Sequence, residues 1–257
     1  MEKRSINYDN VGKIIGKGIS SEVYEYQDDK GNDVVLKYFR RKIKVWKNGE
    51  PTEIDFDEAM QKNKEDKLQL LDKDICMWDE PKLFDLLYDD NLGLVGYTME
   101  YSDLPTMEDF IYKSRSFKLK LLKELRKRID ELNSNGIYVG DFMSEDNFLV
   151  TNNGEIRFLD VDNFNVHSLD FDLYNPYVDS YNDRNKKIDN VDNFCFNFFT
   201  IAYYERVTMS RLYLYLKEVG LPSKFVTDEN KQLLYDMLNK RNYKKRYLLD
   251  NIKKGLF

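Results

Sequence analysis

The chain has 257 residues, of which 42% are hydrophobic and 33% charged, so it can build a core and does not have the composition of a disordered protein. Its net charge is −6, which argues against a general nucleic-acid-binding protein, because phosphate contacts need positive charge. The N-terminus lacks the apolar segment of a secretory signal, and the longest apolar run is too short to cross a bilayer. The two cysteines, Cys76 and Cys195, are far apart. We therefore expect a cytoplasmic protein with neither membrane association nor a specific nucleic-acid partner.

The first third of the chain is predicted to be mainly β-structure. Runs of β-branched and aromatic residues indicate three strands, and an apolar pattern of helical spacing indicates a helix followed by two more strands. In chain order, the predicted strands cover residues 11–15, 23–26 and 34–39, the helix covers 53–72, and the next strands cover 82–88 and 92–101.

The remainder is predicted to be mainly helical. Residues 117–134 carry leucine and isoleucine at steps of three and four, with Lys and Arg on the other face, and Asn135-Gly136 suits a left-handed cap at the end of this helix. Two short strands, 148–150 and 156–159, precede a helical pattern after residue 190. This order predicts an α+β bilobal fold in a single domain, residues 1–257. The N-lobe covers about residues 1–101, the hinge lies near Glu100–Leu104, and the C-lobe covers about 102–257.

Two features of the predicted strands suit phosphate binding. Gly16 and Gly18 lie between the first two strands, where glycine lets the backbone approach a phosphate closely, although a plain hairpin explains the same pattern. Lys37 lies on the apolar strand 34–39 and offers a positive charge to phosphate oxygens if it faces a cleft. The alternative for Lys37 is a lysine that points to solvent.

Two acidic segments follow the long helix. In the loop 139–147, Asp141 can orient and deprotonate an acceptor hydroxyl, and the side-chain oxygen of Asn147 suits a metal ion. Asp160 ends an apolar strand, where a buried carboxylate needs a metal ion or a basic partner. Solvated loops are the alternative for each segment. In their order along the chain, the glycine turn, the strand lysine and the three polar residues match the parts of protein-kinase phosphoryl transfer.

On these residues, from about Tyr8 to Tyr204, the chain resembles the protein-kinase superfamily of the eukaryotic-like Ser/Thr type. The resemblance implies a small antiparallel β-sheet N-lobe with helix C and a mainly α-helical C-lobe. It also implies ATP and Mg²⁺ as cofactors, Asp141 and Lys37 as catalytic residues, and Asn147 and Asp160 as metal ligands. The nucleotide-binding residues that it implies are Gly16, Gly18, Val23, Val35, Lys37, Glu65, Met99, Glu100 and Ser102.

The chain departs from the kinase pattern in several places, among them Gly140 where the Arg of H-R-D is expected. Asn147 follows Asp141 by six residues rather than five, and Met143 replaces the loop lysine of Ser/Thr kinases. The D-F-G triplet is replaced by residues 160–162, Asp-Val-Asp. These departures bear on the acceptor and on regulation rather than on the fold.

The glutamate of helix C that pairs with Lys37 is either Glu58 or Glu65, which are seven residues apart and share one helical face. Glu65 is preferred because two leucines of the same face follow it.

Three functions remain open on this fold. The first is an ATP- and magnesium-dependent Ser/Thr protein kinase that transfers the γ-phosphate to a hydroxyl of an unidentified protein substrate. The second is a small-molecule phosphotransferase, because Gly140-Asp141 resembles the Gly-Asp of aminoglycoside and choline kinases. The third is a nucleotide-binding pseudokinase that acts as an interaction module.

Overall fold

The computed structural model describes residues 1–18, 20–47, 50–73, 80–139 and 145–166, together with Asp192, Phe196, Phe199, Thr200 and Tyr203. Within these residues the chain is α+β, with a mixed six-stranded sheet and two α-helices. The predicted catalytic residue Asp141 and most of the region after residue 190 lie outside the described residues. No described helix is long and apolar enough to cross a membrane.

The described part of the chain begins with strands, and helices and strands then alternate. The strands are β1 (Glu2–Ser5), β2 (Val11–Lys17), β3 (Ser21–Gln27), β4 (Asp33–Phe39), β5 (Lys42–Lys47), β6 (Glu50–Asp55), β7 (Leu83–Asp89), β8 (Gly93–Met99), β9 (Ile137–Tyr138), β10 (Phe148–Val150), β11 (Ile156–Phe158) and β12 (Asn165–Val166). The helices are α1 (Glu58–Lys73) and α2 (Arg115–Ser134).

The large sheet has the strand order β1-β7-β8-β4-β3-β2. Its neighbouring strands are antiparallel except for β1 and β7, which are parallel. Successive residues of a strand point to opposite faces, so Val34 and Leu36 of β4 lie on one face and Lys37 lies on the other. The first face packs a hydrophobic core with Tyr26, Leu87 and Val95. Burial of this core fixes which face of β4 carries Lys37.

Several elements differ from their predictions, since strands β1, β5, β6, β9 and β12 were not predicted. Residues 53–55 were expected to begin a helix, but they belong to β6, which pairs with β5, and α1 begins only at Glu58. The sequence of β6 alternates the β-branched residues Thr52 and Ile54 with acidic residues, which is a strand period, and the side chain of Asp57 then accepts a hydrogen bond from the backbone N–H of Met60 (2.9 Å). Strand β1 was not predicted because its four residues are polar or charged and carry no apolar alternation.

The chain divides into two compact units. The first comprises Met1–Leu104 and Arg157–Phe171, and the second comprises Pro105–Ile156 and Asp172–Phe257. Residues 157–171 therefore group with the unit that contains the large sheet, whereas the predicted lobes placed them in the second lobe. The description of the whole chain as a single kinase-like domain remains a prediction.

In the second unit, α2 runs over nearly the residues predicted for it. The side chain of Ser114 accepts a hydrogen bond from the backbone N–H of Phe117 (3.3 Å) and caps the helix, and Gly136 has a φ of +74°, as a left-handed cap requires. The buried Asp192 accepts hydrogen bonds from Asn133 (2.9 Å) and from the backbone N–H of Val139 (2.7 Å). Its carboxylate thus ties the end of α2 to β9.

Candidate functional site

The strand register of the first unit brings four of the predicted nucleotide-binding residues onto one face of the sheet. Val23 of β3 lies opposite Lys37 of β4, and Val35 lies opposite Met99 of β8. Residues directly opposite in an antiparallel pair project to the same face, and so do alternate residues of one strand. The face therefore carries these four residues together with Tyr97, the partner of Lys37 on β8.

The two predicted phosphate-binding glycines lie at the edge of the same face. Gly16 is paired with Val23, and the backbone N–H of Gly18 donates to the carbonyl oxygen of Ser21 (2.8 Å). A Cβ added at either glycine would make only ordinary van der Waals contacts with the protein. Packing within the described part of the chain therefore does not require glycine at these two positions.

The ammonium group of Lys37 is buried and makes ion pairs with Asp160 and Asp162. Lys37 and Asp160 are 123 residues apart in sequence, and both belong to the first unit, where they are in contact. Lys37 therefore does not point to solvent, which was the alternative considered for it. Asp160 has the basic partner that a strand-end carboxylate needs when it is not fully exposed.

Asp162 is the centre of this cluster, although it was not predicted as a site residue. One of its carboxylate oxygens accepts from Lys37 and from the hydroxyl of Tyr97 (3.0 Å), and the other pairs with Lys64 of α1. Lys64 also donates to the backbone carbonyl oxygen of Asp162 (2.8 Å). With 0% relative exposure, Asp162 has both carboxylate oxygens bonded to donors. A second carboxylate two residues after the strand-end aspartate is the signal by which it could have been found.

A single 3-10 turn, Val161–Asn163, places the two carboxylates. The side chain of Asn163 donates to the second oxygen of Asp160 (2.9 Å) and accepts from Lys64 (3.1 Å). The rings of Phe158 and Phe164 pack edge to face, with centroids 5.2 Å apart, and so close the turn on both sides. The buried Glu80 accepts a hydrogen bond from the backbone N–H of Phe158, which holds the strand that precedes the turn.

The charges of this cluster shift the pKa values of its members. Burial alone lowers the pKa of Lys37, but Asp160 and Asp162 outweigh that effect, so the pKa lies well above its usual value and the ammonium stays charged. Burial raises the pKa of Tyr97, and the charge of Asp162 raises it further, so the phenol remains a donor. Burial also favours the neutral form of Asp162, but Lys37 and Lys64 outweigh it and hold its pKa well below the usual range. Asp162 is therefore ionised at neutral pH.

Glu65, the residue preferred as the partner of Lys37, has other partners. Its carboxylate pairs with Lys3 of β1 (2.5 Å) and accepts a hydrogen bond from the hydroxyl of Tyr88 of β7 (2.7 Å). The lysine one position earlier, Lys64, is the α1 residue that reaches the cluster. Adjacent residues of a helix differ in direction by about 100°, so the two side chains diverge toward different strands and turns.

The other predicted site residues are distributed as follows. Glu100 and Ser102 follow β8, and the backbone N–H of Glu100 donates to the carbonyl oxygen of Lys82 (2.8 Å). The hydroxyl of Ser102 accepts from the backbone N–H of Leu104 (3.4 Å). Asn147 ends a 3-10 turn in the second unit, directly before β10.

Among the described residues, no group of three or more His, Cys, Asp and Glu side chains has the arrangement of a metal site. Magnesium, however, is commonly held by one or two carboxylates together with substrate phosphates and water. The side chain of Asp160 is 26% exposed and suits that task, whereas Asp162 is 1% exposed and both of its oxygens are occupied by donors. Asp160 therefore fits a magnesium ion that arrives with a nucleotide, and Asp162 does not.

Comparison of the chain with protein-family models gives no match, and neither does comparison with curated proteins. Residue chemistry and the geometry of the first unit are the grounds on which a function can be proposed.

Proposed function

We propose that the protein is an ATP- and magnesium-dependent phosphotransferase of protein-kinase-like, bilobal fold, which transfers the γ-phosphate to a Ser or Thr hydroxyl of a cytoplasmic protein. The observation that carries this proposal is the ion pair between the buried Lys37 and the partly exposed Asp160. The apolar residues Val23, Val35 and Met99 share the sheet face of Lys37, which supports a binding surface for a nucleotide base beside a charged phosphate site.

Each proposed role follows from side-chain chemistry. Lys37 supplies a fixed positive charge for phosphate oxygens, and Asp160 would hold a magnesium ion, which would neutralise charge on the transferred phosphate. Gly16 and Gly18 leave room for the triphosphate to approach the backbone. Because the N–H of Glu100 is already bonded within the protein, its carbonyl oxygen is the group proposed to accept from the base.

Transfer needs a base near the acceptor hydroxyl, and Asp141 is proposed for this role, with Asn147 as a further metal ligand. The oxygen of the acceptor forms a bond to the γ-phosphorus, the bond to the oxygen of the ADP leaving group breaks, and the hydroxyl proton passes to Asp141. Both residues belong to the stretch between α2 and β10, in a loop one residue longer than the pattern it resembles.

A nucleotide-binding module without transferase activity is the second candidate. It is favoured by one observation in the first unit: Glu65 is bonded to Lys3 and Tyr88 rather than to Lys37. The small-molecule phosphotransferase is distinguished from the protein kinase by the acceptor.

The test is carried out on the full chain. Binding of a non-hydrolysable ATP analogue is measured by calorimetry with and without magnesium, and transfer from labelled ATP is measured to the protein itself, to generic protein substrates and to small alcohols. We expect magnesium-dependent binding that Lys37→Met and Asp160→Asn each weaken, and label on protein. The matched control is Lys62→Met, an exposed lysine of α1 that pairs at the surface with Asp66 (2.5 Å) and more distantly with Glu65 (4.0 Å).

Absence of nucleotide binding by the unaltered protein contradicts the whole proposal. Binding without any transfer supports the binding module, and label on small alcohols alone supports the small-molecule phosphotransferase.

A further inference from the structure

We infer that Asp162 and Lys64 are positioning residues that hold Lys37 for nucleotide binding. Asp162 takes the role that was predicted from the sequence for a glutamate of helix α1, namely pairing with Lys37. This inference rests on the proposed function, because it concerns the same lysine. It assigns to the two aspartates after β11 two different tasks: Asp162 fixes the lysine, and Asp160 remains for the metal.

The geometry joins three elements of the first unit at one carboxylate. Asp162 accepts from Lys37 of β4, from Tyr97 of β8 and from Lys64 of α1. Lys64 is bonded to both the side chain and the backbone carbonyl oxygen of Asp162, and also to Asn163, so three bonds attach the helix to the turn. The position of α1 and the position of the Lys37 ammonium thus depend on one buried side chain.

Asp162 is buried at this junction. The side chain of Asp162 is 1% exposed and that of Lys64 is 17% exposed, and the ammonium of Lys64 also lies 5.6 Å from the centre of the Phe39 ring. Removal of a buried carboxylate leaves positive charges without compensation, which is far more costly than loss of a surface pair. Lys37 would then keep Asp160 as its only described anionic partner.

Asp160 and Asp162 differ in their bonding partners, and this difference supports two separate roles. The second oxygen of Asp160 is bonded to a neutral amide, that of Asn163, whereas both oxygens of Asp162 face cations. If Asp160 moves toward a magnesium ion, Asp162 still holds Lys37. A site with only one carboxylate would have to serve the lysine and the metal with the same group.

The experiment measures binding of the ATP analogue to full-length variants, with and without magnesium. Asp162→Asn is expected to weaken binding about tenfold or more in both conditions, because it displaces Lys37, and Asp160→Asn is expected to weaken mainly the magnesium-dependent part. Lys64→Met is expected to weaken binding severalfold, and Lys64→Arg to restore most of it, since arginine keeps the charge and the donors. Lys62→Met on the same helix is the control and is expected to bind as the unaltered protein does.

A second measurement does not depend on the nucleotide. Melting temperatures of Asp162→Asn, Lys64→Met and the double variant form a double-mutant cycle, in which the effect of the double variant is expected to be well below the sum of the single effects. If Asp162→Asn folds too poorly for calorimetry, nucleotide binding by Lys64→Met and Lys64→Arg still tests the inference, because Lys64 is less buried than Asp162.

The outcomes separate this inference from the proposed function. Nucleotide binding that is lost in Lys37→Met but unchanged in Asp162→Asn and Lys64→Met overturns the inference alone. The same holds if Glu65→Gln weakens binding as Asp162→Asn was expected to do, or if Lys64→Arg binds as weakly as Lys64→Met. Failure of the unaltered protein to bind any nucleotide overturns the proposed function, and the inference with it.

Discussion

Gly96 of β8 packs directly against the carbonyl oxygen of Lys37 across the β4–β8 pair. A Cβ at this position would overlap that oxygen and would also press on the backbone of Tyr38. The obstacle is backbone rather than a flexible side chain, so it cannot move aside without distorting the strand that carries the lysine. Gly96 is thus required by packing, unlike the glycines at the edge of the same sheet.

Gly96→Ala is therefore expected to destabilise the protein by about 3 kcal/mol, as overpacking of a close backbone contact does. The free energy of unfolding is measured by urea denaturation. Gly18→Ala is the matched control for stability, because its Cβ would make only ordinary contacts. Equal stability of Gly96→Ala and the unaltered protein would contradict the close contact described for Gly96.

Gly16→Ala and Gly18→Ala test the phosphate-binding role of the turn between β2 and β3. Both variants are expected to unfold at nearly the urea concentration of the unaltered protein, because neither Cβ meets a crowded neighbour. Affinity for the ATP analogue is expected to fall about tenfold, since a methyl group blocks close approach of phosphate to the backbone. Unchanged affinity in both variants, measured by calorimetry, would show that this turn does not bind phosphate and is only a hairpin connection.

Asp141→Asn and Asp160→Asn are expected to separate transfer from binding. Asparagine at position 141 cannot accept the acceptor's proton, so transfer from labelled ATP is expected to fall by a factor of about 10² or more while binding of the analogue is kept. Asparagine at position 160 weakens magnesium-dependent binding as well. Undiminished transfer in Asp141→Asn would remove this residue from the role of base.

Glu65→Gln tests whether the charge of this glutamate stabilises the folded protein. Burial raises the pKa of Glu65, but the hydrogen bonds from Lys3 and Tyr88 outweigh it, so the pKa lies below its usual value. A carboxylate with a lowered pKa stabilises the folded state above its unfolded pKa, near 4.3, and that contribution is lost as pH falls. The variant is expected to lose about 1 kcal/mol at pH 7.

The difference between Glu65→Gln and the unaltered protein is expected to shrink below about pH 4, where unfolding is followed by circular dichroism in urea. Glu25→Gln is the control, because its pair with Lys13 is exposed and contributes little. A difference that stays constant between pH 7 and pH 3 would show that the charge of Glu65 is not what stabilises the protein.

The local sequence pattern was sufficient to predict the elements that have strong hydrophobic periodicity. Helix α2 and strand β4 were predicted within two residues of their bounds, because leucine spacing and β-branched residues report directly on the buried face. The register that unites Val23, Lys37 and Met99 on one face could not be read, since it depends on which strands become neighbours. That neighbourhood is decided by packing of the whole sheet.

The partner of Lys37 was predicted on the wrong element for a related reason. Helical periodicity favoured Glu65, which is buried in the structure, but its carboxylate is bonded to Lys3 and Tyr88. The pairing of Lys64 with Asp162 spans 98 residues, and no local signal marks which of two adjacent helical residues will face a distant turn. Charge alone predicts that partners exist, whereas tertiary packing selects them.

The parallel pairing of β1 with β7 has a consequence for the order in which the protein folds. Glu2 lies opposite Asp85 and Ser5 lies opposite Tyr88, so each residue of β1 pairs with a residue more than 80 positions later in the chain. Contacts of such long sequence separation form late, because closing the intervening loop costs entropy before any bond repays it. Until it pairs, β1 presents an open strand edge, and we expect its charged side chains Glu2, Lys3 and Arg4 to disfavour pairing of that edge with another chain.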